Sequence, residues 1–231
     1  MENILERFPN VAKAIFSKLD NKYLVEAYGV CSSWKNSIAS QKFYWIRIIQ
    51  THIGQQSLTI PWQRVLLKTS VKMVKELSIA VYQFHQFDKS RYKKKWSPLH
   101  ITVERDLLGL SQRVMNRLDE MDPKSSDGVI PLHFAASNGN LELFKLIFVG
   151  TKNQNQRDIS GITPYYEAAI KGHFEICKFI INNVQEKNPK TRDGYTPMLV
   201  AAANGFFDIC KLIIDNVDDK NPATVNGATP L

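Results

Sequence analysis

The chain has 231 residues, of which 44% are hydrophobic and 23% are charged, an ordinary balance for a globular protein that argues against wholesale disorder. No run of about 18 apolar residues occurs, so we expect no membrane-spanning helix. The start, MENILERFPN, has acidic residues and a proline where a signal peptide needs basic and apolar segments, which predicts a protein of the cytosol or nucleus. Three cysteines, an odd number, argue against a disulfide framework there.

The first fifty residues predict three short helices. Their apolar stripes are, in chain order, Val11–Ile15–Leu19, Leu24–Ala27–Cys31 and Trp34–Ile38. Three short helices within about forty residues form a marginal core, the kind that a partner usually completes. Cys31 has no nearby base and no metal-ligand spacing, so packing at an interface is its expected role.

The order of motifs in residues 3–49 resembles the F-box family. It reads "FP", "IFSKLD", "YLVEAYGVCSSWK" and "FYWIRI", with phenylalanine in place of the family's leucine before the proline. The resemblance implies docking on a Skp-type adaptor that links the chain to a cullin ubiquitin ligase. The adaptor-binding residues carried over by this motif are Phe8, Pro9, Ile15, Phe16, Leu19, Leu24, Val30, Cys31 and Trp34. The alternative is an unrelated helical cap whose apolar residues face inward.

Residues 50–91 form a predicted linker with a basic amphipathic helix from Pro61 to about His85. Its apolar face comprises Leu66, Val74, Leu77, Val81 and Phe84, and its basic face Lys68, Lys72 and Lys75. Residues 62–95 hold nine basic and two acidic side chains, a difference of +7 out of the formal +8. The segment is interpreted as a solvated linker, or as a contact for an acidic partner or nucleic acid. No nucleic-acid-binding signature supports the last alternative, so nucleic acid is not an expected partner.

An internal repeat of thirty-three residues occupies the rest of the chain. Prolines recur at that spacing in "WSPLH", "VIPLHFAASNGN", "GITPYYEAAIKGH", "GYTPMLVAAANGF" and "GATPL". In each unit a glycine permits a tight turn, threonine or its substitute caps a short helix, and proline occupies the first turn of that helix. A second glycine ends the helix, and an apolar second helix follows. One such hairpin cannot bury its apolar face alone, so we expect the units to stack.

These motifs resemble the ankyrin repeat. The predicted fold is all-α: a three-helix F-box, a connecting helix, and then a solenoid of helix-turn-helix units with β-turn tips. The predicted units are a degenerate repeat at 92–124, repeats at 125–157, 158–190 and 191–223, and the start of another at 224–231. The degenerate repeat has Lys95 and Asp106 where its successors have glycine. The apolar face of "FDICKLII" would lack a cover, so we expect the chain to be truncated; a natural end capped by a partner is the alternative.

Cysteine and histidine inside the repeats are interpreted as structural. Cys177 and Cys210 occupy equivalent positions in neighbouring units. Stacked helices lie about 8–10 Å apart, too far for a disulfide, so both are predicted to be buried small side chains. His100 and His133 share a register position at which ankyrin repeats typically use histidine to bond neighbouring turns. A zinc site needs four convergent ligands, and no such spacing occurs, so we expect no metal or cofactor.

No catalytic motif occurs in the sequence, and Tyr166 with Glu167 forms no evident dyad. The chain is therefore predicted to be a non-catalytic substrate-recognition subunit of a cullin-type ubiquitin ligase, which acts by holding a target near a ubiquitin donor. The alternatives are an ankyrin scaffold or inhibitor without a ligase, and a basic adaptor for nucleic acid. By analogy with ankyrin stacks, the target protein is expected to contact Asp127, Val129, Asn138, Ile162, Lys171, Arg192, Tyr195 and Asn204. Tyr195 is the preferred anchor.

Overall fold

The computed structural model describes Ile46 and residues 71–72, 74–78, 96–116 and 123–230. Within these residues all regular secondary structure is helical, as the sequence predicts. Residues 71–72 and 74–78 are helical, with Val74 and Leu77 buried. The nine predicted adaptor-binding residues, Phe8 to Trp34, lie outside the described residues. In the described part of the chain, no helix combines the length and apolar character needed to cross a membrane.

Eight helices with defined bounds lie between residues 98 and 214. They are α1 (Pro98–Glu104), α2 (Leu108–Met115), α3 (Pro131–Asn138), α4 (Leu141–Gly150), α5 (Pro164–Ile170), α6 (Phe174–Asn183), α7 (Pro197–Ala203) and α8 (Phe207–Ile214). The chain divides into two compact units, residues 1–101 with 116–119, and residues 102–115 with 120–231.

In the first unit, the start of α1 is held by a serine and a histidine. The backbone N–H of Ser97 donates to Nδ1 of His100 at 3.1 Å, and the Ser97 hydroxyl lies 2.8 Å from the same nitrogen. His100 is completely buried and stacks on the Trp96 ring, with 6.0 Å between ring centroids. The structural role predicted for His100 is confirmed.

In the second unit, the helices form two layers. The first helices of the repeats, α3, α5 and α7, pack side by side, and so do the second helices, α4, α6 and α8. The close approach of the first helices depends on alanine, because Ala135, Ala168 and Ala201 are completely buried and present only a methyl group to their neighbours. The sequence periodicity therefore predicts the stacking correctly, and the core lies between the two layers.

Each first helix begins at its proline, and the residue before it determines how the helix is capped. The hydroxyls of Thr163 and Thr196 accept from the backbone N–H groups three residues later, at 3.3 and 3.2 Å. Ile130 has no hydroxyl, and there the backbone N–H of Ile130 donates instead to Nδ1 of His133 at 3.2 Å. The predicted threonine caps are confirmed, and His133 stabilises the start of α3, where isoleucine replaces the threonine.

The degenerate first repeat keeps the turn geometry despite its substitution. Asp106 takes the register position of Gly139, and its φ of 54° is the one positive value among the described non-glycine residues. Aspartate adopts this left-handed conformation more readily than most residues. The Asp106 carboxylate also accepts a hydrogen bond from the amide of Asn140 at 2.8 Å, which ties the turn to the next repeat.

Candidate protein-binding surface

Four turns, hereafter the tips, project from the repeats at residues 125–129, 158–162, 191–195 and 224–228. Each tip is closed by the same backbone bonds; in the third, Thr191 N–H donates to Tyr195 O at 2.8 Å and Gly194 N–H donates to Thr191 O at 3.0 Å. The first tip residue also fixes its own turn, because its side-chain oxygen accepts from the last residue's N–H, as Thr191 does from Tyr195 at 3.0 Å. The tips are therefore defined local structures and not open loops.

One backbone hydrogen bond joins each tip to the next. Ile159 N–H donates to Asp127 O at 2.9 Å, and after one repeat Arg192 N–H donates to Ser160 O at 3.1 Å. Val225 N–H continues the series to Asp193 O at 3.1 Å. The tips thus form a connected row, which holds their exposed side chains at a fixed spacing.

Glycine is required where this row is tightest. Gly161 has a φ of 80°, and a Cβ atom placed there would lie 2.9 Å from the backbone nitrogen of Arg192 and 3.1 Å from Cα of Thr191. The left-handed conformation and the close approach of the neighbouring tip both exclude a side chain. Gly128, Gly161 and Gly194, which the repeat pattern places in the first three tips, are therefore elements of the contact between repeats.

Several of the predicted target-binding residues present exposed side chains on one surface, formed by the tips and the first helices α3, α5 and α7. We call this the recognition surface. Lys171 and Arg192 are exposed, and Tyr195 is 42% exposed, a large value for an aromatic side chain. Val129 and Ile162 lie in the same register position as Tyr195 and are half-buried. The row Val129–Ile162–Tyr195 supplies apolar area to this surface.

The other three predicted residues make hydrogen bonds within the protein. The Asn138 amide donates to the Val103 carbonyl at 2.7 Å, although the residue is exposed. Asn204 likewise donates to the carbonyl of Val200 at 2.7 Å, within its own helix. The Asp127 carboxylate accepts from the Ser125 hydroxyl at 2.6 Å. These side chains have structural bonds, and a partner would meet them already oriented.

A half-buried acid, Glu167, lies on the first helix of the central repeat, α5. Burial raises the pKa of Glu167, against the opposing effects of a hydrogen bond from Ser137 and the charge of Lys171. Tyr166 is also half-buried, and burial, followed by the charges of Glu167 and Tyr195, raises the pKa of its hydroxyl. Tyr166 therefore lies near both Glu167 and Tyr195. Glu167 and Tyr166 form no evident catalytic dyad in the sequence, and neither is among the predicted target-binding residues.

Two exposed apolar tip residues, Ile159 and Val225, were not predicted. Ile159 is 54% exposed, at the position occupied by Ser126 and Arg192 in the neighbouring tips. An isoleucine in a turn otherwise built from aspartate, serine and glycine was the available signal, because polar residues dominate such turns. Ile159 extends the apolar part of the recognition surface to the tip of the central repeat.

The cysteines differ from one another despite their equivalent positions. Cys177 is completely buried, and burial raises its pKa to about 12, so the predicted packing role is confirmed. Cys210 is only half-buried, and its predicted burial is wrong. The reason is that α8 packs against the α6 side of the stack, where Cys177 lies, while no further helix follows α8 in the described residues to cover Cys210. Both are free thiols.

His133 is built into the tip row. It is 3% exposed, and its Nε2 lies 3.1 Å from the carbonyl oxygen of Ile162 in the next tip. Burial lowers its pKa below 6.5, although the hydrogen bond with Ile162 and the charge of Asp158 act in the opposite direction. The structural role predicted for this histidine is confirmed. Across the described ranges, no cluster of three His, Cys, Asp or Glu side chains is placed to hold a metal ion.

Comparison with known families agrees with this architecture. The family model described as ankyrin repeats (3 copies) matches residues 99–191 and, one unit later, residues 132–224. Together the two matches span more than half of the 231 residues. No curated protein matches the chain significantly. Ankyrin repeats are generally non-catalytic modules that bind other proteins. With the stacked hairpins and the tip row described above, these matches show that the chain belongs to the ankyrin-repeat family.

Proposed function

We propose that this protein is a substrate-recognition subunit of a cullin-type ubiquitin ligase. In this proposal residues 3–49 dock on a Skp-type adaptor, and the repeats hold the target protein. The observation that supports target binding is the recognition surface itself, where Ile159, Arg192 and Tyr195 project from tips joined by backbone hydrogen bonds. The ligase half of the proposal rests on the F-box-like motif order alone.

The tip row suits binding because it is organised before a partner arrives. Association loses affinity when loops must be ordered at the interface, and here the tips already have their turn and inter-tip bonds. Exposed aromatic and arginine side chains contribute disproportionately to binding energy. Tyr195 and Arg192 provide both kinds within four residues of one tip. Target specificity would then depend on the side chains that the tips present.

Adaptor binding is tested by purifying the chain with a Skp-type adaptor. Wild type should retain the adaptor, and Leu19→Asp with Trp34→Ala should abolish its retention. Lys178→Glu, an exposed change on α6, is the control and should leave retention unchanged. If wild type does not retain the adaptor, the ligase assignment fails and the ankyrin scaffold without a ligase takes its place. Salt-sensitive nucleic-acid binding lost on neutralising Lys93–Lys95 would instead support the basic adaptor.

Target binding is tested by a matched pair of charge reversals. Lys171→Glu alters the recognition surface, while Lys178→Glu makes the same change on an exposed position of the second helix α6. Proteins that cross-link to wild type should be lost with Lys171→Glu and Tyr195→Ala and retained with Lys178→Glu. Equal loss with both lysine variants would contradict the assignment of the surface.

A further inference from the structure

The second residue of each tip combines a fixed backbone role with a variable side chain. In the second, third and fourth tips, the N–H group of this residue donates to the carbonyl of the third residue of the preceding tip, at 2.9, 3.1 and 3.1 Å. The residues at this position are Ser126, Ile159, Arg192 and Val225, and all four are exposed. Because the bond between tips uses only backbone atoms, the stack does not determine which side chain stands there.

Two of these side chains are apolar, and they lie on either side of Arg192 in the row. Ile159 is 54% exposed in the second tip, and Val225 is 77% exposed in the fourth. Covering them with apolar side chains of a partner removes apolar area from water, which favours binding. Both belong to turns that backbone hydrogen bonds already close, so a partner would order little of the chain on binding.

The guanidinium of Arg192, between these two apolar side chains, is available to an anion. Within the described ranges, no ion pair or side-chain hydrogen bond engages it. Asp158 of the preceding tip is already used, because its Oδ1 accepts from two backbone N–H groups of its own turn, each at 2.8 Å. Asp193 follows Arg192, and Lys190 precedes the tip, so residues 190–195 carry two basic side chains and one acidic, a net charge of +1. A carboxylate is therefore the charge that complements the third tip.

The spacing of the tips favours one conformation of the partner. Stacked helices lie about 8–10 Å apart, and the tips repeat with the helices. A polyproline II segment has three residues per turn and rises about 3.1 Å per residue, so every third side chain lies on one face, about 9 Å apart. A β-strand presents the same face after two residues, about 7 Å, which is shorter than the spacing of the tips. Side chains three residues apart in an extended segment can therefore meet successive tips.

We propose that the second, third and fourth tips bind an extended segment of the target in which an acidic side chain has an apolar side chain three residues away on each side. The carboxylate pairs with Arg192, and the apolar side chains contact Ile159 and Val225. Arginine binds a carboxylate through two parallel hydrogen bonds, so this pair fixes the register of the segment. The proposal rests on the proposed function of the repeats as a target-binding surface, and it specifies the sequence of the bound segment.

The experiment selects binders from a random hexadecapeptide library displayed on phage, using the immobilised full chain. Wild type and Lys178→Glu should enrich peptides with an aspartate or glutamate that has an apolar residue three positions away on each side. Arg192→Glu should enrich a lysine or arginine at the central position and leave the apolar positions unchanged. Lys178 is exposed on α6, so its variant reverses a charge away from the tips. Peptides without an acidic residue, a different spacing, or no enriched peptide at all would overturn the proposal.

Two further variants test the register of the segment. Ile159→Ser should remove the apolar preference on one side of the acidic residue, and Val225→Ser should remove it on the other side. Both side chains are exposed, so these changes leave the packing of the stack intact. Selected peptides that keep both apolar preferences with either variant would overturn the assignment of the two contacts.

An enriched peptide then measures the contact with Arg192 directly. Replacing its acidic residue with glutamine should weaken binding to wild type about tenfold, and should not weaken binding to Arg192→Glu. Equal weakening on both proteins would overturn the pairing with Arg192. The charge-reversal test of Lys171 and Lys178 above judges the recognition surface independently. If that test succeeds and the peptide pattern is absent, the recognition surface stands and the acidic segment is refuted.

Discussion

Replacing Gly161 with alanine should measure how much the contact between neighbouring tips stabilises the stack. The new methyl group meets two obstacles: a φ of 80°, and a distance of 2.9 Å from Cβ to the backbone nitrogen of Arg192. The left-handed conformation costs alanine about 1 kcal/mol relative to glycine. Overpacking against backbone adds about 1–3 kcal/mol, since backbone moves less readily than a side chain.

The collision also disturbs a hydrogen bond. Arg192 N–H donates to Ser160 O at 3.1 Å, and a shift of the third tip that relieves the methyl group would lengthen this bond. A backbone hydrogen bond contributes about 1 kcal/mol net. We therefore expect Gly161→Ala to lower the free energy of unfolding by about 3 kcal/mol in total.

Two glycines of the same register serve as matched controls. Gly128 has the same φ of 80°, but its added Cβ would lie 3.3 Å from the nearest atom, Cα of Asp158. Gly227 has a φ of 81° and no atom within 4 Å of the added Cβ. Gly227→Ala should cost only the conformational strain, about 1 kcal/mol, and Gly128→Ala should fall between the other two.

Urea unfolding followed by far-ultraviolet circular dichroism measures the free energy of unfolding of each variant. A nearest-neighbour analysis then separates the free energy of each repeat from the free energy of the contacts between repeats. The loss with Gly161→Ala should appear in the term that couples the repeats 158–190 and 191–223. If the three glycine variants lose equal free energy of unfolding, or if the loss with Gly161→Ala is confined to the term for a single repeat, the tip contact does not stabilise the stack.

Three further predictions concern buried side chains. The Tyr165 hydroxyl is completely buried and has no hydrogen-bond partner among the described residues, so Tyr165→Phe should raise the free energy of unfolding by about 1 kcal/mol; destabilisation would reveal a missed partner. Because burial lowers the pKa of His133, the unfolded chain takes up a proton near pH 6.5 that the folded chain does not. Stability should therefore fall as the pH drops below 6.5, by at most about 1.4 kcal/mol per pH unit, and urea titrations of His133→Asn should show a smaller slope. Iodoacetamide should label Cys210 in the folded protein and Cys177 only after unfolding, because Cys177 is buried and burial raises the pKa of its thiol to about 12. Peptide mass spectrometry measures the labelling of each cysteine. Equal labelling of the two cysteines in the folded protein would contradict the prediction.

The fold of the repeats could be predicted because the same chemistry recurs at fixed spacing. Proline, the tip glycine and the alanine pair each have one structural reason, and Thr163 and Thr196 cap their helices as expected. Asp106 could be identified as the odd member of its register, and its positive φ shows that aspartate substitutes for glycine there. Such positions are determined locally, within one repeat and its turn.

The side-chain hydrogen bonds and burial that the sequence did not predict arise from contacts between repeats. Asn138 is a polar residue of a type usually found at the surface, yet its side-chain amide donates to the carbonyl of Val103, thirty-five residues earlier. Cys177 and Cys210 have equivalent sequence neighbours, and only the packing of α8 makes their burial different. The burial of Glu167 likewise arises from the neighbouring helices α3 and α7. These properties require the stacked structure, because no single repeat contains the atoms that produce them.

The repeats of this chain have two kinds of position: positions that build the stack, and positions whose chemistry varies from repeat to repeat. Positions that are identical in every clear unit, such as the proline and the first alanine of the pair, are buried and make the stack. The position of Phe134, Glu167 and Val200 differs in chemistry from unit to unit, although its backbone environment is the same. Because the stack does not require these differences, the side chains at this position are available for recognition of a partner.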